Sequence, residues 1–468
     1  MLLADVAGFA AAGTALLVVN MAFPFAHLDA GDLKYLVIPL LCLVLFMQSK
    51  LYPGVGINPA EEIKLVTTYC AIGYAGGLFL LLWFAGGWTQ NRFAVPILWG
   101  LSVLMILLLR WSVRIQATKL RLWGEPVAVI GRGQRVDRTI AYFVERKRLG
   151  YIPVLAAIDA AENQRPTCPV PVIEFGAMLA SKADRFSREG IETALVDVPG
   201  VFEFFRSDDS TAVFRLFRRV ILVSDVGWID GASMHIQDFE GIIGLAAEKG
   251  VLTPLDAFLK RTLDIVGSIV IGMAFLPVML VAALWIKLDS PGPVFYDQPR
   301  IAKDRRKTKR PGEHWRRIRM YKLRTMFSNA ESTLEEYLRT HPEARREWEA
   351  NQKLVDDPRV TRAGRFLRRF SIDELPQLLN VLKGEMSLVG PRPLPDEHYR
   401  LLSEKLRNLR PTLRPGLTGM WQVSGRSASG TQGMELWDSY YAHNWSLWLD
   451  IYVLLRTVWV VLKRRGAY

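Results

Sequence analysis

The chain has 468 residues; half are hydrophobic, 22% are charged, and the formal net charge is +13. This mixture excludes both an all-membrane bundle and an ordinary soluble enzyme, and it implies membrane spans joined to a charged cytosolic body. The positive excess points to an anionic partner, whether nucleic acid, anionic lipid or phosphorylated substrate, while Cys42, Cys70 and Cys168 are widely separated without disulfide or zinc spacing, as in a reducing compartment.

Four apolar stretches come first, at 6–28, 33–48, 66–86 and 93–109, each near the ~20 residues that cross a hydrocarbon core, with the second at the short end. The N-terminus lacks a basic region with a small-residue cleavage site, so the first stretch is expected to be a retained span. Lys50 and Lys64 lie in the second loop, and Arg110, Arg114, Lys119 and Arg121 follow the fourth stretch. The first and third loops carry only Lys34 and Arg92 as bases. Basic residues stay on the cytoplasmic side. The N-terminus, the second loop and everything after Arg110 are therefore expected in the cytoplasm, with 1–121 forming a four-helix transmembrane domain.

From 122 to 250 the texture is that of a small doubly wound, Rossmann-like α/β domain. Residues 126–130 read as a buried strand, followed by Gly131-Arg132-Gly133 and a helix to about 147, with further strands at 154–158, 193–198 and 220–226. The glycine turn begins like a dinucleotide fingerprint, but Val136 stands where a third Gly or Ala belongs. That places a structural or dimerisation role ahead of nucleotide binding.

The third expected domain covers 251–468. Lys260-Arg261-Thr262-Leu263-Asp264 leads into 265–286, 22 residues without a charge and with Pro277 in the middle; twelve Lys/Arg and two acids then lie between Arg300 and Arg324. A fifth span would carry that basic stretch across the membrane, against the charge rule. A helix over 263–288 that enters and leaves from one face keeps both flanks cytoplasmic, and Pro277 supplies a break by removing a backbone donor. Re-entry is the favoured reading. A charged helical stretch follows at 330–354, and a Gly/Ser-rich loop lies at 424–433. From 444 to 465, Trp445, Trp448, Trp459 and neighbouring apolar residues recur at helical spacing before Lys463, Arg464 and Arg465, as in an interfacial helix.

Asp373 and Glu374 carry the strongest chemical signal. Ser371-x-x-Glu374 has the form of a capping box opening a helix, and that structural role can coexist with a catalytic one. Arg362, Arg365, Arg368 and Arg369 precede the pair, and the rigid Gly390-Pro391-Arg392-Pro393 follows it. Arginines around a helix start make a phosphate site. A carboxylate held there either binds a divalent cation or attacks phosphorus.

The ordered motifs Lys260–Asp264, the proline-bearing apolar helix, Tyr321-Lys-Leu-Arg-Thr-Met326, Ser371-Ile-Asp-Glu-Leu-Pro-Gln377, Asn380-Val-Leu-Lys-Gly-Glu-Met-Ser387, Gly390–Pro393 and Arg414-Pro-Gly-Leu-Thr-Gly419 resemble the monotopic phosphoglycosyl transferases, the bacterial sugar transferase family. The spans and the α/β domain resemble its long-form subgroup. One departure is Leu276, where a small or polar residue usually precedes the proline. The resemblance implies a mainly α-helical monotopic catalytic domain with a re-entrant helix. It implies transfer of a sugar 1-phosphate from a UDP-sugar to undecaprenyl phosphate with release of UMP, the first membrane step of O-antigen, capsule or exopolysaccharide synthesis. Galactose is the expected sugar and glucose the alternative. Asp373 would be the covalent nucleophile and Glu374 the ligand of Mg²⁺, with Mn²⁺ possible. Lys322, Arg368 and Arg392 match phosphate-contacting or supporting positions, although a solvated basic face is the other reading of them. Lys260 and Arg261 are either anchors for the lipid phosphate or interfacial bases. The resemblance further implies the bacterial inner membrane, multi-pass, with the catalytic domain facing the cytoplasm, membrane lipids and a second copy of the chain as partners, and no nucleic acid. Two rivals stand beside it: a membrane-tethered sugar-nucleotide dehydrogenase or epimerase, which lacks its complete fingerprint, and a non-enzymatic basic membrane scaffold.

Overall fold

A computed structural model describes residues 1–22, 37–49, 51–85, 94–131, 134–158, 170–179, 186, 189–197, 213, 215–223, 232–239, 242–249, 253–303, 315–351, 354, 356–400, 402–424 and 430–462. Arg132-Gly133, most of the basic stretch 304–314, the loop 425–429 and the basic end 463–465 lie outside the described residues. The chain forms two units, Met1–Ile229 and Asp230–Tyr468. The division falls ahead of the expected domain limit at 250, because the antiparallel hairpin β6 (Ala232–Phe239) and β7 (Ile242–Lys249) belongs to the second unit.

The first unit opens with four helices: α1 (Leu2–Ala22), α2 (Val37–Gln48), α3 (Pro59–Ala85) and α4 (Ala94–Lys119). Pro59–Leu80 and Val95–Lys119 are long and apolar enough to cross a membrane, whereas Leu2–Val18 and Val37–Gln48 are shorter apolar helices. Small residues let the backbones approach: a Cβ on Gly73 would run into Cys42 Sγ, and one on Gly8 would meet Ile106 at 2.7 Å. The fourth helix runs past its expected end at 109 and turns Arg110 inward. Arg110 donates from Nε and Nη2 to the two oxygens of Asp5, each at 2.6 Å, and from Nη1 to Glu62 at 3.2 Å. Arg114 donates to both oxygens of Glu62, at 2.8 Å to the Oε1 shared with Arg110 and at 2.9 Å to Oε2. Two bases of the expected cytoplasmic flank are thus neutralised inside the bundle, tying α4 to α1 and α3, because a buried charge persists only when paired.

The remainder of this unit is a parallel five-stranded sheet in the order β3-β2-β1-β4-β5, built from β1 (Glu125–Gly131), β2 (Tyr151–Ile158), β3 (Val172–Glu174), β4 (Thr193–Asp197) and β5 (Arg219–Val223). The order reverses at β1/β4, where a doubly wound sheet opens its crevice. Here α5 (Gln134–Glu145) presses a fully buried Val136 toward Gly131. Asp197 at the end of β4 accepts from Thr139 Oγ1 at 2.9 Å and lies 3.7 Å from Arg135. A carboxylate at that point repels a pyrophosphate.

In the second unit a single helix spans Pro254–Asp289. Thr253 caps it: its hydroxyl accepts from the Asp256 N–H at 3.1 Å, and the Asp256 carboxylate accepts from the Thr253 N–H at 3.2 Å. It too is long and apolar enough to cross a membrane. No interruption of the helical run marks Pro277, where a break is expected; a proline can bend a helix without ending it. The run continues because proline removes one backbone bond while the turns on either side keep theirs. Both ends of this helix rest on one body. Near its start, Lys260 and Arg261 donate to the carbonyls of Val389 and Val381, and further along Gly267 and Gly272 face Leu388 and Leu378; near its end, Ala282 and Ile286 pack with Leu323, Ala363 and Leu367. That body includes the hairpin β8 (Phe295–Lys303) and β9 (Trp315–Leu323), the helix Arg362–Arg369, and the parallel pair β10 (Ser387–Val389) and β11 (Gly416–Thr418).

Candidate active site

Three segments far apart in sequence deliver the charged groups. The first is β9. Asn380, fully buried, accepts from the Tyr321 N–H at 3.1 Å through Oδ1 and donates from Nδ2 to the Arg319 carbonyl at 2.7 Å. This holds the strand end that carries Lys322. The second is the turn after the helix Arg362–Arg369. Thr361 caps that helix, accepting from the Gly364 N–H at 3.0 Å. Ser371 then takes the left-handed conformation, φ 56°, and the chain enters a 3-10 helix, Ile372–Gln377, bearing Asp373 and Glu374. The expected capping box does not form. Ser371 makes no side-chain cap bond, because the left-handed turn is made by its backbone. The third segment is Pro391-Arg392-Pro393, following β10.

Glu374 collects the cations. Lys322 Nζ donates to its Oε1 at 3.0 Å and Arg392 Nη2 to the same oxygen at 2.7 Å, while Arg392 Nη1 lies 3.5 Å from Oε2. Asp373, its neighbour, has Lys322 no closer than 4.0 Å. Burial alone would raise the pKa of Glu374, but Arg392 and Lys322 outweigh it and hold the carboxyl well below its ordinary range. Asp373 moves the other way: burial and the adjacent Glu374 charge raise it against the pull of Lys322, Arg368 and Arg392. Arg368 donates from Nε to Thr325 Oγ1 at 2.9 Å, and burial lowers its pKa. Arg362, Arg365 and Arg369 are exposed, so the expected arginine ring contracts to Arg368. The site proper holds two carboxylates against three cations, Lys322, Arg368 and Arg392. The surplus positive charge suits an anionic phosphate.

Residues 255–464 match the family model described as bacterial sugar transferase. Over 387 residues the chain is 32% identical to the UDP-galactose-lipid carrier transferase of Erwinia amylovora, covering 81% of this chain and 77% of that protein. The chain belongs to the bacterial sugar transferase family. It is also 32% identical over 395 residues to the undecaprenyl-phosphate galactose phosphotransferase of Salmonella typhimurium, with 81% and 77% covered. A 40% identity over 217 residues to the UDP-glucose:undecaprenyl-phosphate glucose-1-phosphate transferase of Caulobacter vibrioides covers 45% of this chain and 72% of that one.

Lys260 and Arg261 of this sugar transferase are not free anchors. Lys260 is buried, with Nζ 2.6 Å from Asp450 Oδ2, 3.4 Å from Asp264 and donating to the Val389 carbonyl at 3.0 Å. Arg261 donates at 2.7 Å to the carbonyls of Val381 and Leu382, near the end of the helix Leu378–Lys383. Both fasten the long helix to the catalytic body, because donors placed against buried carbonyls and carboxylates satisfy them before any ligand can. Asp264, Ser387, Tyr441 and Asp450 complete this network and were not singled out from the sequence. Only the Lys260–Asp264 spacing of four signalled it. Asn380 and Thr325 were also passed over, lying inside motifs without distinguishing context.

Among the described residues no group of three or more His, Cys, Asp or Glu gathers as a metal cage. The donor set still fits Mg²⁺, which characteristically takes one or two carboxylates plus substrate phosphates. Glu374 stays ionised here, and its Oε2 carries only the longer Arg392 contact among the hydrogen bonds quoted above.

Proposed function

We propose that this sugar transferase moves galactose 1-phosphate from UDP-galactose onto undecaprenyl phosphate and releases UMP, opening the assembly of a surface polysaccharide. The observation that carries the reading is the division of labour between neighbours. Glu374 Oε1 takes Lys322 at 3.0 Å and Arg392 at 2.7 Å, whereas the Asp373 carboxylate has Lys322 only at 4.0 Å. Galactose follows from the names of the two relatives matched along most of their length; glucose is the second reading, from the relative matched over the catalytic part.

The mechanism has two displacements. An Asp373 oxygen attacks the sugar-bearing phosphorus, an Asp–O–P bond forms, and the bond to UMP breaks with its electron pair leaving on the UMP oxygen. A phosphate oxygen of the lipid then attacks the same phosphorus and returns Asp373 as a carboxylate. Two steps let a soluble and a lipid substrate use one site in turn. Lys322, Arg368 and Arg392 bind and orient the diphosphate, and Arg392 stays aligned through Glu374. Glu374 would hold Mg²⁺ or Mn²⁺, which would supply positive charge to offset that on the departing phosphate.

The protein sits in the bacterial inner membrane with the four N-terminal helices spanning and the catalytic body on the cytoplasmic face, where UDP-sugars are. The helix Pro254–Asp289 is re-entrant in this reading. Support comes from the packing of both its ends on one catalytic body and from the basic flanks, which replace Pro277 as the argument. A homodimer completes the proposal. The test is UMP release by purified protein supplied with undecaprenyl phosphate and, in turn, UDP-galactose, UDP-glucose and N-acetylated UDP-sugars. Turnover restricted to UDP-glucose would replace the sugar, and no UMP from any donor would refute the reaction.

A further inference from the structure

Arg410, which opens the short 3-10 turn Arg410–Thr412, reaches the helix Gly430–His443. Its Nη1 donates to Asp438 Oδ2 at 2.6 Å, with the two side chains 6% and 4% exposed, and lies 3.2 Å from Met434 Sδ. Burying such a pair carries a desolvation cost that apolar residues of the same shape avoid, so its presence asks for a reason other than stability. The second nitrogen of the fork shows one: Arg410 Nη2 donates to the carbonyl of Arg392.

That carbonyl lies in a turn with few means of holding itself. Pro391 and Pro393 have no N–H. The turn is pinned by the Gly390 N–H on the Thr418 carbonyl at 2.9 Å, by the Gly416 N–H on the Pro391 carbonyl at 2.9 Å, and at Arg392 by a side chain. Arg410 and the Pro391–Pro393 turn also line one crevice together. A line of contacts therefore runs Asp438, Arg410, Arg392 backbone, Arg392 guanidinium, Glu374. We propose that Arg410, aligned by Asp438, is a positioning residue that fixes the Arg392 peptide and thereby aims its guanidinium at Glu374 and the substrate diphosphate. The inference rests on the phosphate-handling role given to Arg392 above.

The test is a mutant cycle on the full chain in lipid nanodiscs, reading UMP turnover and thermal unfolding. Arg410→Met with Asp438→Leu replaces the buried pair by apolar side chains, a change such sites tolerate in folding. A small misplacement of a substrate-positioning group costs up to ~100-fold, so kcat should fall about 10- to 100-fold with the unfolding transition retained. In an Arg392→Ala background the same pair should change turnover by less than about 2-fold, since effects along one chain of contacts do not add. Arg410→Lys should recover part of the loss. Equal losses in both backgrounds, or wild-type turnover of the folded apolar pair, would overturn the proposal. Undiminished turnover of Arg392→Ala would instead overturn the role of Arg392 on which it rests. If the apolar pair does not fold, Asp438→Asn enters the same cycle with the same two outcomes.

Discussion

Lys322 Nζ stands 3.0 Å from Glu374 Oε1, and the same nitrogen is 4.0 Å from Asp373 Oδ2. Adjacent carboxylates are thereby made chemically different. Glu374 is held ionised by two cations, whereas Asp373 is crowded by its neighbour's charge and by burial. A nucleophile must be available for bond formation, and Asp373 is the less tightly ion-paired of the two carboxylates.

Asp373→Asn should therefore abolish both the phospho-sugar adduct and turnover while the protein stays folded. Intact-mass measurement after incubation with UDP-galactose checks this. Wild-type adduct on the Asn variant would move the nucleophile elsewhere.

The pH dependence has a definite sign. As the proposed nucleophile, Asp373 would attack as the anion, so the acid limb of single-turnover UMP release should follow its raised pKa. Glu374→Gln removes a charge that raises it and releases Lys322 and Arg392 to lower it, so the limb should move to lower pH even as the rate falls. In stability terms the two acids act oppositely. Glu374, with its pKa depressed, contributes stability above its unfolded pKa that is lost as pH falls through the folded one; the raised Asp373 contributes below its unfolded pKa and loses this as pH rises through its folded one. An acid limb that moves up in Glu374→Gln would contradict the assignment.

Asn380 should matter for stability and for Lys322 together. Asn380→Leu strands the Tyr321 N–H and the Arg319 carbonyl, and each buried polar group left unmade costs about 1–3 kcal/mol. Thermal unfolding should begin earlier, and KM for the UDP-sugar should rise because β9 no longer fixes Lys322. An unchanged transition would show that water replaces the amide.

Topology can be read with single cysteines. In a background without Cys42, Cys70 and Cys168, Phe258→Cys and Phe295→Cys place thiols at exposed positions on the two sides of the long helix. Both should resist an impermeant thiol reagent in intact cells and react once the inner membrane is permeabilised. Labelling of the Phe295 position from outside would restore a fifth span.

Sequence alone determined the elements whose signal is local: the apolar helices, the parallel strands around Gly131, and the Asp373-Glu374 pair between an arginine run and a proline-fixed arginine. Hydrophobic periodicity and composition act over a few residues and survive without tertiary context. Tertiary structure decided what each charge does. Glu374 meets Lys322 across 52 positions and Arg392 across 18, and Lys260 is claimed by Val389 and Asp450 rather than by a ligand. Ser371 turns left-handed instead of capping, and the helical run does not stop at Pro277. A charge is assigned by the burial and partners that surround it, and those come from chain segments that sequence spacing does not bring together.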